Sequence, residues 1–235
     1  MNAKTMRKAS AALVIALAIA TSATAQNAGR SLRLGLSFAP NLGWLAPTGK
    51  KIEANGSHLG FRFGLVTDIM IGENANYAFS TGLFLNNVGG DYKREFDAAP
   101  SDTLTVIATE QTTLKLQYVE LPLTIKLKTN EIGYMTYFGQ VGFDTGFRVG
   151  AKRDTEIASG VAGYSKTEDN EDAKDDAAEL RVALSIGAGF EYNFSGNTSA
   201  LVGLRYSNGF TNALDNDDLG QAKLHYAELT LGVLF

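Results

Sequence analysis

From residue 32 onward, apolar and polar positions alternate with a period of two. Leu32, Leu34, Leu36 and Phe38 share one face of an extended segment. Phe61, Phe63, Leu65 and Ile69 do so in a second, and Leu180, Val182, Leu184, Ile186, Phe190, Tyr192 and Phe194 in a later one. The pattern predicts eight strands, at 32–42, 58–71, 77–88, 111–128, 133–151, 178–194, 198–207 and 222–235, and no segment carries a helical period. Their connections alternate in length: 43–57, 89–110, 152–177 and 208–221 are long, whereas 72–76, 129–132 and 195–197 are short. Such alternation is expected of an up-and-down meander with tight turns at one end and long loops at the other. The pattern therefore predicts an all-β fold, an eight-stranded antiparallel up-and-down transmembrane β-barrel with periplasmic turns and extracellular loops.

What lies opposite the apolar face chooses between a membrane barrel and a soluble lipid-binding one. The chain has 25 glycines against four prolines. Gly35, Ser37, Gly60, Gly64, Gly82, Gly142, Gly146, Gly187, Gly189 and Gly203 fall opposite the apolar residues. A solvated outer face would favour Thr, Lys and Glu, whereas a narrow lumen needs small residues to make room for large ones. The same face carries Arg33, Arg62, Lys115, Lys126, Arg148, Arg181 and Arg205 with Asp68, Glu120, Asp144, Glu191 and Glu228. A basic side chain facing lipid at the midplane costs about 2–4 kcal/mol. These twelve charges are thus expected to plug the lumen as a structural network, with the apolar face toward lipid. The soluble alternative turns that face inward around a ligand.

Met1 to Gln26 has the form of a secretory signal: Lys4, Arg7 and Lys8, an apolar run from Ala11 to Ala20, then Ala23-Thr24-Ala25. Residues 1–25 are therefore expected to be a cleaved leader and 26–235 the barrel domain, with both mature termini periplasmic. Removing three basic residues takes the formal charge from -4 to -7, against nucleic-acid binding. The absence of cysteine excludes a disulfide framework, a thiolate metal site and a cysteine nucleophile. The four long connections carry +1, -3, -4 and -3.

Aromatic residues near predicted strand ends, Trp44, Tyr77, Tyr92, Tyr134, Tyr137, Tyr192, Phe194 and Tyr206, are expected to form interfacial girdles. Phe235 ends the last strand behind Val233, Leu231, Leu229 and Ala227 on the same face, a pattern resembling the assembly signal of outer-membrane barrels. Between Tyr118 and Leu121 the apolar parity switches, which predicts a β-bulge beside Pro122.

The segment Tyr118-Val119-Glu120-Leu121-Pro122-Leu123-Thr124-Ile125-Lys126 resembles the "Y-L-E-I-P-L" strand of the PorT-like outer-membrane β-barrel family, common in Bacteroidetes. Further matches run in the same order: Gly139 to Lys152, Gly187 to Tyr192, Arg205 to Asn212, and Leu231 to Phe235. The resemblance covers most of the mature chain and implies an eight-stranded outer-membrane barrel. It implies little about activity, since only a few members are tied to type nine secretion or gliding.

His58 and His225 are placed at outer strand ends flanking the first strand, where a rim metal or acid/base pair is conceivable. Rim histidines are more often interfacial, so no catalytic, metal or cofactor site is assigned. The acidic runs 168–176 and 215–220 read as solvated loop, because the spacing of calcium loops is missing. The expected function is a structural, surface-interaction or secretion-accessory role with no enzymatic activity. Its expected partners are outer-membrane lipid, the barrel-assembly machinery and a secretion or surface partner at the long loops. A narrow ion or small-solute channel is the alternative.

Overall fold

A computed structural model describes residues 32–49, 51–72, 76–101, 104–159, 165–196, 198–216 and 220–235, so the expected leader lies outside the described residues. Among the described residues nine strands follow one another: β1 Leu32–Pro47, β2 Glu53–Met70, β3 Tyr77–Ser101, β4 Leu104–Lys128, β5 Met135–Ser159, β6 Ser165–Asp172, β7 Leu180–Ser195, β8 Thr198–Asn216 and β9 Gly220–Leu234. Each ring strand pairs antiparallel with its neighbours, β5 reaches past β6 to β7, and β9 returns to β1. The result is a closed eight-stranded up-and-down barrel, with β6 as a ninth strand paired along the far end of β5.

The short connections turn as their composition dictates. Gly133 and Gly196 sit at φ 67° and 56°, left-handed conformations that side chains with a Cβ rarely adopt. Those turns, with Leu32 and Phe235, define one end of the barrel, the turn end.

Parity places the side chains. In the half nearest the turns, Leu36, Phe63, Leu123, Ile186, Leu204 and Leu231 point outward and stay 39–68 % exposed. A continuous apolar band of this kind cannot stand in water, so lipid covers it. The aromatic residues mark its edges. Trp44 stacks on Tyr206 and His225 at 6.0 and 6.2 Å on one side, and Tyr192 meets Tyr134 and Phe194 at 6.2 and 5.4 Å on the other. Tyr92 is an exception to the expected girdle: it is 1 % exposed, inside the barrel.

Beyond Trp44 the arrangement inverts. The long connections expected as loops are largely strand: β3 and β4 run 25 residues each, β5 runs 25, and the acidic stretch 165–172 is β6. At roughly 3.3 Å per residue these strands are more than twice the 9–11 residues that cross a bilayer. In this extended half the interior is mainly apolar, packed from Leu45, Val88, Tyr92, Leu114, Leu116, Tyr118, Leu214 and Leu224 among others, with Glu110, Thr112 and Thr155 also buried. The exterior is polar, with Thr113, Lys115 and Gln117 outward on β4. Continuous strands were missed because the apolar and polar faces exchange places where the chain leaves the lipid.

The same exchange corrects the predicted bulge. On β4 the even-numbered residues from Thr112 to Lys126 all face inward without a break, so the parity change between Tyr118 and Leu121 records a change of surroundings. The bulge is on β5, where Gln117 pairs with Gly150 but Tyr118 with Arg148, leaving Val149 extra. Pro122, which cannot donate, falls where the β3–β4 ladder lapses between Ser80–Thr124 and Phe84–Glu120 with its register unchanged.

Above the band β3 swings against β1. A side chain on Gly43 would meet the Gly89 carbonyl and lie 2.7 Å from Val88 Cγ2, and one on Gly90 would lie 2.7 Å from the Leu45 nitrogen. The outer end of β2, Glu53 to Ser57, is displaced and exposed on both faces.

Candidate functional site

The lumen of the lipid-facing half holds two groups of charges, each assembled from inward positions on several strands. In the central group, Glu120 of β4 accepts from Arg181 Nη1 at 3.3 Å, Asn86 Nδ2 at 3.0 Å and the Tyr226 hydroxyl at 3.2 Å, and forms an ion pair with Arg62 Nε at 3.2 Å. Arg62 also reaches Glu228 at 3.2 Å, and Arg205 reaches Glu228 at 2.8 Å and Asp144 at 3.1 Å. Ser207 donates to Asp144 at 3.2 Å and receives Arg181 Nη2 at 2.9 Å. Three guanidinium groups thus balance three carboxylates and tie together β2, β4, β5, β7, β8 and β9. The Arg62 guanidinium lies 3.5 Å from the centre of the Phe84 ring, which helps to offset its removal from water.

The second group lies nearer the turns. Lys126 donates to Asp68 at 2.8 Å and forms an ion pair with Glu191 at 2.6 Å, while Arg33 at 2.5 Å and Lys128 at 3.3 Å donate to Glu191. The Ser80 hydroxyl donates to the other oxygen of Asp68 at 2.6 Å. The Phe138 ring lies 4.5 Å from Lys126 Nζ, in space that the interior glycines leave open: a Cβ on Gly189 would sit 2.7 Å from that ring.

Ten of the twelve residues expected in the lumen are found in these groups: Arg33, Arg62, Asp68, Glu120, Lys126, Asp144, Arg181, Glu191, Arg205 and Glu228. The other two are corrected. Lys115 points out of the barrel, where it pairs with Asp154; at this height its strand has left the lipid, so its face is a wet exterior. Arg148 stays inward but donates to the backbone carbonyls of Ala178 at 3.1 Å and Lys174 at 2.9 Å, closing the barrel beneath the 173–179 connection. Lys128 and Tyr226 were overlooked, although each shares the parity of its strand neighbour, Lys126 and Glu228 respectively.

The histidines do not form a pair. His225 stacks on Trp44 on the outer surface, whereas His58, across β1 and opposite Gly43, lies over Gly89 of β3. In the extended half further charges pair: Arg94 with the buried Glu110 at 2.6 Å, and Arg153 with Glu171 at 3.2 Å and Asp176 at 2.7 Å. The acidic run on β6 is thus partly neutralised by β5. The Asp154 carboxyl is held below its usual range by the hydrogen bond from Lys115 and then by the Asn170 amide at 2.8 Å.

A closed ring with a lipid-facing apolar band and a charged interior defines an integral outer-membrane β-barrel protein. The chain belongs to the family described as outer membrane protein beta-barrel domain, whose model matches residues 24–215. Among solved structures it is similar to Neisserial surface protein A at 12% identity, covering 88% of this chain and 97% of that one, with a TM-score of 0.47. It is also similar to the attachment invasion locus protein Ail of Yersinia pestis, at 16% identity over 87% of this chain and 99% of that one, TM-score 0.36. The outer membrane protein OprG of Pseudomonas aeruginosa is 12% identical over 89% and 97%, TM-score 0.36. No curated protein sequence matches.

Proposed function

We propose that this chain is a non-conducting barrel of the PorT-like type whose extended wall, β3 to β6, is its working surface in a structural, surface-interaction or secretion-accessory role. The observation that carries this reading is that both halves of the interior are filled. Ion pairs cross the lumen within the lipid band, and beyond it an apolar cluster from Leu45 to Tyr226 occupies the axis. The lumen space lined by Ser37, Arg62, Ser80, Phe84, Phe138 and Arg205 amounts to 50 Å³, room for a few waters rather than a path. A narrow channel needs a continuous wet route, and the buried leucines of the extended half oppose one. In planar bilayers the refolded protein is therefore expected to produce no discrete conductance steps even at high protein load. Reproducible single-channel openings would replace this reading with the channel one.

Export and assembly place the turn end, with both mature termini, in the periplasm and the wall outside the cell. Phe235, whose amide donates to the Leu34 carbonyl at 2.7 Å, is then available to the barrel-assembly machinery as the end of the closing strand. Because the chain has no cysteine, one introduced residue reports orientation unambiguously. Asp97→Cys is expected to react with a membrane-impermeant maleimide on intact cells, and Asn130→Cys only after lysis. The opposite labelling pattern would invert the orientation.

A further inference from the structure

We propose that the outward groove where β2 overlaps β3, β4 and β5 binds the phosphate of a membrane lipid, through Lys152, His58 and Lys115. The groove has a volume of 320 Å³ and is lined by His58, Leu59, Phe61, Lys115, Gln117 and Lys152 with small neighbours. Its height is set by register. His58 pairs with Gly43, next to Trp44, whose ring forms the loop-side aromatic cluster with Tyr206 and His225. The groove therefore opens at the level of lipid headgroups.

Its two halves differ in chemistry. Toward the lipid, Leu59 is 74 % exposed and Phe61 stacks on Phe38 and Phe63, each at 6.2 Å, while Phe147 and Val149 stand outward on β5. Away from the lipid, Lys152 and His58 have neither a hydrogen bond nor an ion pair among the described residues. Lys115 is held in place by Asp154 and keeps donors to spare. Gly60 and Gly150 leave the floor open; a Cβ on Gly150 would already touch Gln117 at 3.5 Å. An apolar ledge below Lys152, the spare donors of Lys115 and the His58 ring fits acyl chains beneath a phosphate. A soluble anion would leave the ledge bare, and a zwitterionic headgroup would leave the cations unbalanced.

The test uses the full-length mature protein folded in dodecylmaltoside, titrated with dimyristoyl phosphatidic acid and read by native mass spectrometry. One retained phosphatidic acid is expected, with dimyristoyl phosphatidylcholine about tenfold weaker or more. The Lys152→Ala/His58→Ala double variant should lose about tenfold in affinity, and Lys223→Ala, an outward lysine on β9, should lose nothing. Each variant is scored only if its unboiled band migrates faster than the boiled one; Lys152→Glu alone replaces the double variant if that fails. Undiminished binding by the scored variant, or equal retention of phosphatidylcholine, would overturn the site. Displacement of phosphatidic acid by an equal concentration of inorganic phosphate would overturn the lipid assignment in favour of a soluble phosphate.

Discussion

Replacing Glu120 with alanine is expected to lower the unfolding free energy by about 3–5 kcal/mol, the cost of breaking a buried charge cluster by removing one partner. Glu120 receives three hydrogen bonds and an ion pair from Arg62, and it forms the salt bridge to Arg181, whose side chain is 2 % exposed. Arg62 retains Glu228 in the variant, but Arg181 is left with Ser207, the Leu224 carbonyl and the Tyr226 ring and no ion pair within 4.0 Å among the described residues. An uncompensated guanidinium is then left where water cannot reach it. Urea unfolding from lipid vesicles, followed through Trp44, the single tryptophan, measures the loss. Glu120→Leu combined with Arg181→Leu should recover much of it, since the penalty belongs to the stranded charge more than to the missing pair. A loss below about 1 kcal/mol for Glu120→Ala would show that the cluster is hydrated and the lumen open.

Leu114→Ala is expected to cost about 2–5 kcal/mol, the range for deleting a buried leucine side chain down to its Cβ. Leu114 is 1 % exposed between Val88, Leu116 and Tyr118 in the extended half. Leu121→Ala, on the same strand but facing lipid at 44 % exposure, should cost less, because lipid chains fill the space that the side chain vacates. Both are read by the same unfolding experiment. Equal small effects, within about 0.5 kcal/mol, would mean that residues beyond Trp44 are not packed and that the wall is solvated chain.

The two substitutions probe the same feature of β4 from opposite sides. Leu114, Leu116 and Tyr118 are even-numbered, whereas Leu121, Leu123, Ile125 and Leu127 are odd-numbered, and that switch is plain in the sequence. A period of two is dictated by strand geometry, so the strands, their order and the placing of Glu120, Arg181 or Arg205 opposite the apolar residues could all be read from the chain. Which face points inward is not a property of the period. It depends on what surrounds each stretch, and a barrel rising out of lipid into water exchanges its wet and dry faces while its strands continue unbroken.

That exchange explains what was misplaced. Parity alone puts Lys115 opposite Leu114 and Leu116, and those leucines form the interior there, so Lys115 faces out. The stretches 89–110 and 208–221 read as long connections in the sequence, yet most of them is strand, because in water the outward face is polar and the lipid-type alternation stops. The pairings themselves, Arg62 with Glu120 and Glu228 or Lys126 with Asp68 and Glu191, join residues between 58 and 166 positions apart. Only closure of the ring, with its particular register between strands, brings such residues together. The sequence by itself determined the alternation, the strand order and the residue types available to each face; the tertiary structure decided the environment of each face and the partners across the lumen, because both depend on distances that local periodicity does not encode.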